Sequence, residues 1–74
     1  MDQKAILKEL EGHEEMMISL CANGVRTDNE YEQSIKIADL LMKIDEPTVA
    51  QRLSLESLVL AVGVYEEKHY PFGN

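Results

Sequence analysis

Few side chains in this sequence have the type and spacing for chemistry: Cys21 with His13, the pair Glu66-x-x-His69, and the adjacent acids Glu14-Glu15 and Glu66-Glu67. A cysteine-histidine nucleophile needs hydrogen-bond contact and a third group to orient the base. Eight residues of helix separate Cys21 from His13 by about 12 Å of rise, too far for contact, so both read as core-facing side chains. Glu-x-x-His is the ligand pair of di-iron bundles, but such a site needs a second copy and two further glutamates. The sequence has no second copy, so Glu66 and His69 read as a helix terminus, with His69 complementing the dipole or packing on Tyr65. Neighbouring acids point in different directions on a helix and make poor acid-base partners.

Phosphate-cradling strings are absent, since Gly12, Gly24, Gly63 and Gly73 are isolated. Fourteen acidic against seven basic side chains give a net charge of −7, spread along the chain, so direct nucleic-acid binding is not expected. That charge suits either a basic protein partner or simple solubility. The single cysteine allows no internal disulfide, and the longest apolar run, Leu58 to Tyr65, falls far short of the roughly 20 residues of a membrane span. The expectation is a non-enzymatic, cofactor-free, metal-free protein of the cytoplasm that acts by binding other proteins.

The elements carrying these residues read as three helices in one all-α domain over 1–74, at about 2–22, 28–44 and 47–69. Asp2 caps the first, and Asn23-Gly24 stops it in a left-handed turn, with Val25 placed for the hydrophobic contact that follows. One face carries Ile6, Leu10, His13, Met17, Leu20 and Cys21; the other carries Lys4, Lys8, Glu11 and Glu15. Gly12 weakens the middle of this helix by roughly 1 kcal/mol.

The second helix opens on a capping box, Thr27-x-x-Glu30, and exposes Glu32, Lys36, Asp39 and Lys43. Its apolar arc, from Tyr31 to Ile44, spans roughly 220° and calls for cover on two sides. Glu46-Pro47 opens the third helix, which ends near His69 because Pro71 follows. Leu55, Leu58, Ala61, Val62 and Tyr65 form one face of it. Leu53, Leu60 and Val64 lie nearly opposite, either as an interface or as ordinary scattered apolar residues. Gly63 either lets another backbone approach or is a tolerated flaw.

An ordered set of features runs along the chain: the Asp/Asn/Glu-rich stretch before Tyr31, Leu40-Leu41, the turn Asp45-Glu46-Pro47, the Leu-rich third helix, and the ending Tyr65-Glu66-x-Lys68-His69-Tyr70-Pro71. Together these resemble the amino-terminal domain of the HigA family of antitoxins. The resemblance implies an all-α, dimer-prone fold and a partner, a HigB-like toxin of basic RelE fold that cleaves mRNA. Family members carry a helix-turn-helix domain after this region. No such domain is expected within residues 1–74, and DNA repression is not carried over to them.

Under that resemblance the candidates for toxin contact are Ile6, Leu10, Glu14, Met17 and Leu20 on the first helix, the competing reading being packing against the other two helices. The candidates for a homodimer interface are Leu40, Ile44, Leu53, Leu60 and Val64. Two alternatives remain: a dimerisation module of a repressor without toxin contact, and a small acidic inhibitor of a nucleic-acid-binding protein.

Overall fold

Four helices, not three, make up the computed structural model, which describes residues 2–69: α1 (Gln3–Glu11), α2 (Glu14–Asn23), α3 (Asp28–Met42) and α4 (Val49–His69). No strand occurs among the described residues, so the domain is all-α.

Asp2 caps α1 as its sequence position predicts, its Oδ1 accepting the Lys4 amide proton at 2.7 Å. The continuous first helix is corrected at Gly12-His13. The amides of Gly12 and His13 donate to Glu9 and Leu10, three residues back, at 3.1 and 2.9 Å. Such i→i−3 bonds tighten and close a helical turn, and the poor helix former Gly12 sits where that closure happens. A new helix then starts from the His13 carbonyl, without a side-chain cap. Its apolar face is re-phased around Leu20, Met16 and Met17, leaving Cys21 at the edge and exposed. Gly24 ends α2 at φ 76°, ψ −174°, and Val25 packs on the core beyond it.

Thr27 caps α3 through its hydroxyl, which accepts the Glu30 amide proton at 3.1 Å. The reciprocal half of the capping box differs from expectation: Glu30 reaches one residue further, accepting the Arg26 amide proton at 2.8 Å and pairing with the Arg26 guanidinium at 3.1 Å. These contacts hold the Glu30 carboxyl below its ordinary range, chiefly through the Arg26 side chain. At the far end α3 stops at Met42, two residues early, where the Lys43 and Ile44 amides turn back to Leu40 and Leu41.

Pro47 does not open α4. A reciprocal box at Thr48-x-x-Gln51 does: the Thr48 hydroxyl accepts the Gln51 amide proton at 3.1 Å, and the Gln51 side-chain oxygen accepts the Thr48 amide proton at 2.8 Å. This places Pro47 outside the helix and starts α4 at Val49. Its end at His69 matches expectation, while Tyr70 and Pro71 lie outside the described residues.

The core gathers Ile6 and Leu10 from α1, Leu20 from α2, Ile37, Ala38, Leu40 and Leu41 from α3, Ile44 from the loop and Leu58 from α4. The α3–α4 contact is the most extensive; α2 packs against both of these helices, and α1 packs on α3. Gln3 straps α1 to the loop after α3: its side-chain amide donates to the Lys43 carbonyl at 2.9 Å, and its oxygen accepts the Asp45 amide proton at 3.0 Å. Ser34 is wholly buried with a hydroxyl that finds no hydrogen-bond partner, a local cost within α3.

Two measurements check this account. Gly24→Ala meets no steric obstacle, since nothing lies within 4 Å of an added Cβ, but it forces an alanine into a glycine-only region of backbone space. Urea unfolding should show a loss of about 1–3 kcal/mol. A carboxyl held below its ordinary value stabilises the fold fully above that value, 4.5, and loses the contribution as pH falls through the depressed one. Acid unfolding of Glu30→Gln should therefore lack this component, with its midpoint moved relative to the parent chain.

Candidate functional site

The chemistry-bearing side chains do not converge. His13 is half-buried at the start of α2, and the exposed Cys21 turns its thiol toward the Ser54 carbonyl at 3.9 Å. Among the described residues no group of three or more His, Cys, Asp or Glu side chains is placed to hold a metal ion. Glu66 and His69 instead join an aromatic clasp between the start of α3 and the end of α4. The Tyr31 hydroxyl donates to Glu66 Oε2 at 2.5 Å, and the Tyr65 hydroxyl donates in the opposite sense to Asp28 Oδ1. The Tyr31 and Tyr65 rings stack at 5.1 Å between centroids, and His69 stacks on Tyr65 at 4.2 Å. These pairings run between the start of one helix and the end of the other, as antiparallel α3 and α4 require, and Glu66 also lines a surface concavity between them.

That concavity is an open groove of about 570 Å³ between the two helices. Its walls are Ile35, Ala38 and Met42 from α3 and Val59, Val62 and Gly63 from α4. Three polar side chains, Lys36, Asp39 and Glu66, complete the lining. Two of these are engaged, Asp39 with Lys43 at 2.9 Å and Glu66 with Tyr31. From the groove the apolar surface continues over the outer face of α4, where Leu60 is 70% exposed, Leu53 57% and Val64 54%. Val59, 55% exposed, and Gly63 line both the groove, which holds Met42 at 64%, and the adjoining concavity of Leu60 and Val64, so these side chains form one band. Bands of this kind are characteristic of surfaces that other molecules cover.

The candidates for toxin contact fare unevenly. Ile6, Leu10 and Leu20 are buried in the domain's own core, so the stripe they form is spent on packing against α3 and α4 and is not a surface. Met17 is half-buried against the same core, and Glu14 is exposed. Of the dimer candidates, Leu40 and Ile44 are likewise buried in the core, Ile44 at the floor of a concavity beside Gln3 and Leu7. Leu53, Leu60 and Val64 are free at the surface. Ile35, Met42 and Val59 were missed as site residues, although the excess apolar arc of the second predicted helix already contained two of them. Cys21 reverses its expected core position, for the reason given by the break at Gly12-His13.

A charge placed in either region separates core from surface. Leu60→Lys should leave stability within about 0.5 kcal/mol of the parent chain by urea titration. Leu20→Lys should abolish the cooperative transition, because an unpaired buried ammonium costs several kcal/mol in a domain with little stability to spare. Comparison of the chain with protein-family models, with curated proteins and with solved structures finds no match.

Proposed function

We propose that this chain is a protein-binding module, the toxin-neutralising segment of a HigA-like antitoxin acting in the cytoplasm. The observation that carries the reading is the exposed apolar band across α3 and α4, which the domain's own core leaves uncovered. An acidic chain is steered toward a basic ribonuclease by long-range attraction, and apolar anchors then set the lifetime of the complex. The resemblance, most specific in the stretch from Thr27 to Phe72, supplies the identity of the partner.

A second reading, self-assembly, is favoured by one feature: Val49, Leu53, Leu60 and Val64 recur at spacings of 4, 7 and 4 along the exposed face of α4. Those spacings keep all four side chains on one face of the helix, free of the domain's own core. No helix of the described residues is long and apolar enough to cross a membrane.

Size-exclusion chromatography with light scattering, on the chain alone and mixed with an inactivated toxin from the neighbouring gene, tests both readings. A stable complex with the toxin is the expected result. A homodimer that ignores the toxin would remove the antitoxin reading and leave an assembly module.

A further inference from the structure

We propose that the α3–α4 groove is a receptor for a single amphipathic helix bearing lysine or arginine along its flanks. The inference deepens the protein-binding reading above and rests on it. The groove's walls present apolar side chains from two antiparallel helices, the arrangement into which a third helix lays an apolar face with anchors at i, i+3 or i+4, and i+7. A small molecule is a poor occupant. Sites for small molecules add convergent polar groups to an apolar lining. Here the polar groups of the lining are only Lys36, Asp39 and Glu66, and Asp39 and Glu66 are already paired within the domain.

Gly63 gives the second line of argument. Its backbone φ is not positive, since Gly24 alone has that geometry among the described residues, and an added Cβ would touch nothing within 4 Å. Neither conformation nor internal packing therefore requires glycine here, in the middle of a helix where it costs about 1 kcal/mol relative to alanine. What the missing side chain does provide is room on the groove wall for another backbone to come close.

Charge selects the occupant. The exposed flank of α4 carries Glu56, Glu66 and Glu67 beside Val59 and Leu60. A second copy crossing antiparallel at Gly63 would set Glu66 against Leu60 and Glu67 against Val59, carboxylate on apolar surface, and would join two chains that each carry a net charge of −7. A foreign helix with basic flanks avoids both problems. The aliphatic stems of its lysines or arginines cover Val59 and Leu60 while their heads reach the glutamates.

The test is an NMR titration of the isotope-labelled chain with two synthetic helices of about 18 residues, long enough to hold helical structure. Both carry leucine anchors and a central alanine; one has lysine flanks and the other glutamate flanks. The inactivated toxin is titrated in parallel. The expected result is a set of shifts centred on Ile35, Met42, Val59 and Gly63, with the lysine helix binding at least about tenfold tighter at low salt and the gap narrowing as salt screens it. Gly63→Leu, which fills the groove yet favours the helix, should lower that affinity at least about tenfold with the fold intact. Equal binding of the two helices, shifts elsewhere, no binding of either, or indifference to Gly63→Leu overturns the proposal. So does a homodimer that Gly63→Leu dissociates and that the lysine helix fails to displace. If the lysine helix binds and the toxin does not, the groove stands and the antitoxin reading falls. A toxin that binds without shifting the groove residues has the opposite meaning.

Discussion

The antiparallel contact between α3 and α4 supports everything else in the domain. Ile37 and Leu58 are wholly buried, each worth about 2–3 kcal/mol by transfer from water. α1 packs on α3, and α2 lies against both long helices. The two ends of the long pair are closed by different chemistry. At one end stacked tyrosines exchange hydrogen bonds with carboxylates of the opposite helix; at the other, a single glutamine side chain ties α1 to the connecting loop. A chain of 74 residues buries only about 60% of the surface it exposes when unfolded, so each of these fastenings counts.

Two helices lying side by side leave a furrow on each side of their line of contact. In this domain one furrow is occupied by α2, and the other is the open groove of Ile35, Met42 and Val59. This geometry explains why both long helices are apolar over more of their circumference than one core requires. It also separates two roles that the amphipathic pattern of the first predicted helix had merged: that stripe serves the interior, and the uncovered surface lies on the opposite side of the molecule's central pair. The acidic side chains then follow the same division. Glu56, Glu66 and Glu67 border apolar surface on α4, whereas Asp39, across the groove on α3, is tied to Lys43.

Local signals were the legible ones. Thr27, Asp2 and the Asn23-Gly24 stop act as their types and neighbours predict, because caps and glycine turns are decided within a few residues. The stripe of Leu53, Leu60 and Val64 was legible for the same reason: it lies opposite the face that carries Leu58 and Tyr65. The break at Gly12-His13 was harder to read, since isolated glycines often sit within helices. Thr48-x-x-Gln51 was overshadowed by Pro47, whose preference for the first helical turn is strong but was satisfied here just outside it. Which apolar stripe faces inward could not be read from periodicity, which counts faces and says nothing about which neighbour fills them. That choice depends on the tertiary arrangement, and it decided the fate of Ile6, Leu10, Leu20, Leu40 and Ile44.

The Gln3 strap binds α1 to chain that comes after it. The groups it binds belong to residues 43 and 45, and the helix against which α1 packs begins at Asp28. Without α3 and α4, α1 and α2 lack the surfaces they pack on, and two segments of nine and ten residues are too short to persist as isolated helices in water. Residues 3–23 therefore gain lasting helical structure only together with the long hairpin that follows, on which Ile6, Leu10 and Leu20 are buried. α4 completes the scaffold on which α2 docks, and α3 supplies the one for α1.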